Sequence, residues 1–256
     1  MNRSDKKIVL ITGATSGIGQ ASAKLFAQNG YQLIITGRRK DRLETLSEEL
    51  KKNYNTQTLT LNFDVRDKKQ VDSNLKNLPP TWKNVSLLIN NAGLAAGLSE
   101  IQDGDNEDWE TMIDTNVKGL LYVSSCIMPT MIKNQSGHII NIGSIAGKEA
   151  YSKGNVYCAT KHAVEAITKS MRIDLLPHGI KVSSVCPGAA ETEFSLVRFK
   201  GDTKKAKQTY QGFDPLTPED IAETIFWVAS RPPHVNINDI LIMPTAQANT
   251  SHILRK

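Results

Sequence analysis

Seven short apolar runs, separated by segments of helical periodicity, predict an α/β chain built on one doubly wound parallel sheet. Two more observations point the same way. The first run empties into a glycine-rich turn followed by an amphipathic stretch, the strand–turn–helix order of a nucleotide-binding unit. Small and polar residues then recur at the carboxyl ends of later runs, the edge where such sheets bind ligands. The 256 residues can bury one full core. Residues 1–256 therefore read as a single domain, with a substrate lobe inserted at about 191–213. Neither a repeat nor an interdomain linker interrupts the pattern.

The run Lys7–Thr12 is β-branched and suits a strand buried on both faces. Behind it comes Thr12-Gly-Ala-Thr-Ser-Gly-Ile-Gly19, then a helix that stops at Asn29-Gly30. Gly13, Gly17 and Gly19 allow a tight turn and close approach of a ligand, with Thr15, Ser16 and Ile18 between them. The helix N-terminus offers free N–H groups to a phosphate. The spacing, G-x-x-x-G-x-G, differs from the dinucleotide fingerprint G-x-G-x-x-G but uses the same physics.

Tyr31–Thr36 is the second strand, and a helix over Asp41–Lys52 follows it. Where the fingerprint puts an acid for the ribose 2′-hydroxyl, this chain has Gly37, Arg38, Arg39 and Lys40. Cations at a helix start oppose its dipole, which makes sense if they meet an anion such as a 2′-phosphate. The other reading is a solvated basic turn. The third strand is Thr58–Asn62, ending at Asp64-Val65, and a polar helix over Asp67–Leu78 stops before two prolines. Ser86–Asn90 is the fourth strand, leading into Asn90-Asn91-Ala92-Gly93, where the backbone can lie against something flat.

A loop from Leu94 to Asp105 precedes a long helix through Trp109, Ile113, Val117 and Tyr122. Asn116 is a poor helix former at its centre. It is either a surface position or a local break whose freed backbone group binds water. His138–Gly143 is the fifth strand; Ile180–Val185 is the sixth, followed by Cys186-Pro187-Gly188. The stretch Glu191–Phe213 shows no clean strand pattern and sits where a substrate lid belongs. Thr217-Pro218 opens a helix to Ser230, and Asp239–Met243 is the last strand.

The chemistry concentrates between Gly143 and Lys161. Tyr157 and Lys161 are four apart and share a helical face if Asn155 or so opens a helix. An ammonium beside a phenol favours phenolate, so the spacing predicts a lowered Tyr157 pKa and an acid/base pair. Ser144, just past a buried strand, can hold a substrate oxygen beside the phenol. Ala159, Ala163, Ile167, Met171 and Leu175 form a four-residue stripe read as core or a helix–helix seam.

Other classes fit poorly. The net charge of +5 is modest and no nucleic-acid motif accompanies it. Cys126, Cys158 and Cys186 lack C-x-x-C spacing and suit buried thiols in a reducing cytosol, with no metal site. Met1–Lys7 runs straight into the first strand without a signal peptide, and no apolar run is long enough to span a membrane. A cytoplasmic location is expected.

Taken in order, Thr12-Gly-x-x-x-Gly-Ile-Gly19, Asp64-Val65, Asn90-Asn-Ala-Gly93, Asn116, Ser144, Tyr157-x-x-x-Lys161 and Pro187-Gly188 with Thr192 resemble a short-chain dehydrogenase/reductase over nearly the whole chain. The resemblance implies a Rossmann-type sheet of strand order 3-2-1-4-5-6-7 and a nicotinamide cofactor, which the arginines make NADP(H). It casts Tyr157 as proton donor or acceptor, Ser144 as holder of the substrate oxygen, Lys161 as ribose ligand and tuner of Tyr157, and Asn116 as holder of a relay water. It also places Asp64, Val65, Asn91, Ala92, Gly93, Tyr157, Pro187, Gly188 and Thr192 around the cofactor. Ala190 departs from the larger aliphatic residue many relatives carry. The segments Thr192–Gly201, Leu216–Asp220, His234–Asn238 and Met243–Gln247 are similar to those of the NADP-dependent 3-hydroxy acid dehydrogenase subgroup. That subgroup implies serine, allo-threonine and 3-hydroxypropionate-type substrates, or the matching semialdehydes, and a homotetramer.

A carboxylate substrate needs a cation, and Arg198, between Phe194 and Phe199 in the lobe, is the candidate. Lys148, Lys153, Lys200, Lys204, Lys205 and Lys207 are rivals. A broad NADPH-dependent carbonyl reductase for uncharged ketones and a non-catalytic NADP(H)-binding sensor are the alternative functions. The intact Ser144, Tyr157 and Lys161 favour an enzyme over the sensor.

Overall fold

A computed structural model describes residues 7–256. The expectation for Met1 to Lys6 lies outside the described residues. Seven strands alternate with helices: β1 (Ile8–Ile11), α1 (Gly17–Gln28), β2 (Gln32–Gly37), α2 (Lys40–Tyr54), β3 (Thr58–Asn62), α3 (Lys68–Leu75) and β4 (Val85–Asn90). Then come α4 (Asn106–Ile113), α5 (Leu120–Asn134), β5 (Gly137–Ile142), α6 (Asn155–Leu175), β6 (Ile180–Pro187), α7 (Phe194–Arg198), α8 (Thr203–Gln208), α9 (Pro218–Ala229) and β7 (Asp239–Ile242). The strands form one sheet of order β3-β2-β1-β4-β5-β6-β7, all pairs parallel.

Alternation along β1 shows why its residues are all apolar. Ile8 and Leu10 pack into one core cluster, Val9 and Ile11 into the other. The first cluster takes Val71 and Leu75 of α3, Val123, Ile127 and Met131 of α5, and Val164 and Met171 of α6. The second takes Phe26 of α1, Leu43, Leu46 and Leu50 of α2, and Ile221, Ile225 and Val228 of α9. Each such side chain contributes about 1.5 to 3 kcal/mol by leaving water. The Thr217 hydroxyl accepts from the Asp220 N–H while the Asp220 carboxylate accepts from the Thr217 N–H, a reciprocal cap that fixes where α9 starts. Among the described residues no helix is long and apolar enough to cross a membrane.

Three local readings change. The expected long helix is broken: α4 and α5 are joined by a π-helical turn, Asp114–Gly119, and Asn116 lies buried inside it. Asn116 is therefore a break and not a surface position. The lobe is more regular than its sequence suggests, since α7 and α8 fill much of it. The four-residue stripe on α6 does not keep to one face. Each four-residue step overshoots a full turn by about 40°. Ala159 consequently faces solvent, Ala163 and Ile167 are half-buried, and Met171 and Leu175 are buried against the sheet.

Candidate active site

The strand order reverses between β1 and β4, so the loops behind them splay apart and leave a crevice at the carboxyl edge. A cleft of about 460 Å³ opens there. The glycine loop forms one wall, with Gly13 at φ +68° and Gly17 at φ +51°, conformations that L side chains rarely adopt. The Thr12 hydroxyl accepts from the N–H groups of Asn91 and Ala92, and the Asn91 amide donates to the carbonyls of Thr12 and Gly13. These bonds tie the loop after β4 to the loop after β1. A Cβ on Gly19 would lie 2.4 Å from the Gly13 carbonyl oxygen, so Gly19 shapes the loop from beneath and does not line the cleft.

Thr15, Ser16, Ile18, Arg38, Arg39, Asp64, Val65, Asn91, Ala92 and Gly93 line the same cleft, as do Pro187, Gly188 and Thr192 beyond β6. The two arginines differ. Arg38 is more than half exposed, and its nearest acid is Asp64 at 3.9 Å. Asp64 is engaged chiefly by Arg66, at 2.7 Å. Arg39 is already satisfied by Thr15, Ser16 and the lobe residue Glu193, whose carboxylate it meets at 2.8 Å. Arg42 meets the other Glu193 oxygen at 2.6 Å. Despite partial burial, bonds from Arg42 and Arg39 hold the Glu193 carboxyl at about 2. Arg38 is thus the open cation, while Arg39 ties the glycine loop to the lobe.

Ser144, Tyr157 and Lys161 share the other end of the cleft. The Lys161 ammonium donates to the Ile142 carbonyl at 2.8 Å, which turns it toward the strand end. Burial pulls its pKa down to about 8, opposed by Cys186 and Glu165. The Tyr157 phenol runs against expectation. Burial pushes its pKa above that of free tyrosine, and Arg198 and Ser144 reverse only part of that rise. The reason is desolvation: the phenolate would lose its water in a pocket where Lys161 is already bonded elsewhere. The phenol is accordingly held neutral.

Asn116 does not line the cleft. Its amide nitrogen donates to the Leu94 carbonyl and the Thr160 hydroxyl, and its oxygen accepts from the Leu94 N–H at 2.9 Å. With its side chain so engaged, any water it held would have to bond its main chain. What the side chain does hold is the loop following β4.

Arg198 lies in the cleft, its guanidinium carbon 5.0 Å from the ring centroids of both Tyr157 and Phe194. It donates to the Tyr151 hydroxyl at 2.6 Å, while its buried Nε has no partner. The rival lysines lie elsewhere. Lys148 pairs with Glu165 and Asp239, Lys200 with Asp105 and Asp108, and Lys205 with Asp202. Lys153 does not line the cleft but borders a small neighbouring cavity that Tyr157 and Arg198 also line. Sequence reasoning missed Tyr151, Glu193, Gln247 and Thr250, all in the cleft wall. Gln247 accepts from the Ala189 N–H at 2.8 Å, bringing a tail without any pattern back to the Pro187-Gly188 turn.

The sequence pattern of the family described as short chain dehydrogenase matches residues 7–202. The chain belongs to that family. This dehydrogenase is 48% identical over 242 residues to an NADP-dependent 3-hydroxy acid dehydrogenase of Salmonella typhi, covering 94% of this chain and 96% of the relative. It is equally 48% identical over 242 residues to sulfoacetaldehyde reductase 2 of Chromohalobacter salexigens, covering 94% and 95%. Among solved structures it resembles the closed form of a serine dehydrogenase complexed with NADP+, with a TM-score of 0.90 at 45% identity over 97% of this chain and 99% of that one.

Proposed function

We propose that this dehydrogenase is an NADP(H)-dependent oxidoreductase that interconverts short 3-hydroxy acids, of the serine, allo-threonine and 3-hydroxypropionate type, with the matching 3-oxo acids or semialdehydes. The observation that carries the substrate class is the Arg198 guanidinium, packed beside the phenol with a bare Nε. A short hydroxy acid has little apolar surface, so its carboxylate must supply both affinity and orientation, and a guanidinium offers that group two directed bonds.

The cleft suits the cofactor. Gly13 and Gly17 let the loop turn at positive φ into the start of α1, whose N-terminal N–H groups suit a pyrophosphate, and Arg38 is open to a 2′-phosphate. When bound, the cofactor supplies or accepts the hydride. The chain moves the proton: Tyr157 gives it to the carbonyl oxygen in reduction and takes it from the alcohol in oxidation. Ser144 holds that oxygen, Lys161 would bind the ribose and steadies the phenol, and Asn116 fixes the Leu94 loop in the cleft wall. The acid/base set distinguishes this reading from a cofactor-binding sensor, which needs no such set.

Arg198→Ala is expected to raise KM for serine-like substrates by about one to two decades, from the roughly 1.5 to 3 kcal/mol a charged hydrogen bond contributes. A neutral ketone of similar size should be little affected. Equal loss on both substrates in steady-state assays would make Arg198 structural. A second reading, in which the anionic group is a sulfonate, is supported by the sulfoacetaldehyde reductase relative. Turnover of sulfoacetaldehyde against malonic semialdehyde separates the two.

A homotetramer in the cytoplasm completes the proposal. Ile173, Trp227 and Leu241 leave large apolar surface exposed on α6, α9 and β7, as a chain with further interfaces would. The three cysteines are free, in keeping with a reducing compartment. Sedimentation at micromolar concentration should give four copies; a monomer would exclude the assembly.

A further inference from the structure

Beneath the catalytic end lies a charged layer outside the reacting set. Glu165, one helical turn past Lys161 on α6, is buried. One of its oxygens accepts from the Ser184 hydroxyl at 2.8 Å and the Cys186 thiol at 3.0 Å, both on β6. The other accepts from the Lys148 ammonium at 3.1 Å, and Lys148 also donates to Asp239 at the start of β7. Two glycines beside Ser144 rest on this layer. A Cβ on Gly143 would lie 2.6 Å from the Cys186 sulfur and 3.1 Å from a Glu165 oxygen. One on Gly147 would lie 2.7 Å from the Lys161 carbonyl oxygen and 3.2 Å from Glu165 Cγ. The segment carrying Ser144 and the turn carrying Lys161 are thus pressed together over one carboxylate.

We propose that Glu165, held in place by Lys148, is the positioning counter-ion of Lys161, keeping that buried amine protonated and the Ser144 segment seated on α6. The inference rests on the reading of Lys161 and Ser144 given above. Two anions, Glu165 and Asp239, face three cations, Lys148, Lys161 and Arg172. Around Glu165 the facing groups are Lys148 from the loop after β5, Ser184 and Cys186 from β6, Asp239 from β7 through Lys148, and Lys161 and Arg172 along its own helix. Burial pushes the Cys186 thiol up to about 12, so it stays neutral over the working range. That leaves Glu165, one turn along the same helix, as the anion acting through space on Lys161, whose burial otherwise drives it toward the uncharged amine.

The test exploits a sign. Removing the carboxylate in Glu165→Gln leaves an excess positive charge, so Lys161 should lose its proton earlier. The alkaline limb of the kcat–pH profile, measured for reduction at saturating NADPH and substrate, should move to lower pH by about one unit. Lys148→Met removes a positive charge and should move the same limb to higher pH, while Lys148→Arg should keep the unmodified profile. A purely structural layer would not give opposite shifts. Limbs that stay put, or move the same way in both variants, would overturn the proposal. Lys148 is partly exposed, so Lys148→Met provides a folded protein and a signed readout even if Glu165→Gln does not fold. Lys161→Met is the separate check: retained activity there would sink the underlying assignment of Lys161.

Discussion

Tyr157→Phe should lower turnover by about two to four decades, the range a positioned general acid or base contributes, while leaving NADPH affinity nearly unchanged. The substitution is close to clean. The Tyr157 ring is buried, packs 5.4 Å from the Phe194 ring and lies under the Arg198 guanidinium. Phenylalanine keeps those packing partners and deletes only the hydroxyl. Because burial raises the phenol's pKa, the neutral acid is present throughout the usual working range and serves carbonyl reduction directly. Alcohol oxidation needs the conjugate base, whose share grows as pH rises, so the ratio of oxidative to reductive rate should climb with pH. Stopped-flow single turnovers in both directions would show this. Full activity in the phenylalanine variant would refute the assignment.

Arg38→Asp should weaken NADP(H) by roughly two to three decades and NAD(H) far less, since it removes a charge-assisted phosphate bond and adds a like charge. The two arginines at the end of β2 predict different outcomes. Arg38 is open and only loosely opposed by Asp64. Arg39 is consumed by Thr15, Ser16 and Glu193, so Arg39→Ala should disturb the seating of the lobe more than cofactor choice. Titration of each variant with NADPH and NADH, followed by fluorescence, measures the ratio. Equal use of both cofactors by the unmodified protein would remove the basis for the argument.

Much of this geometry was legible because it is local. A β-branched run before a glycine turn specifies β1, the loop and α1 within 30 residues, and the Tyr157-to-Lys161 spacing needs only a helix to become a shared face. Effects that depend on distant residues were not legible. The direction of the Tyr157 pKa is set by how completely the fold dries the ring, which no spacing encodes. Glu193 finds Arg39 and Arg42 across about 150 positions, and Gln247 reaches Ala189 across 58. The stripe on α6 was legible only at its core end, Met171 and Leu175: a strict four-residue repeat is not the helical period, so it winds from an exposed face to the core.

The widened turn at Asp114–Gly119 separates what the core needs from what the cleft needs. A π turn accommodates a residue that an α-helix would not. It lets Asn116 face inward toward Leu94 without changing the azimuth at which the next helix leaves. Dropping one residue here, even the exposed Lys118, would close the turn into regular α-helix and leave the next helix at the same azimuth. Val123, Ile127 and Met131 would keep their places on the sheet, while Asn116 would lose its hold on Leu94. The core would not register the loss; the cleft wall would.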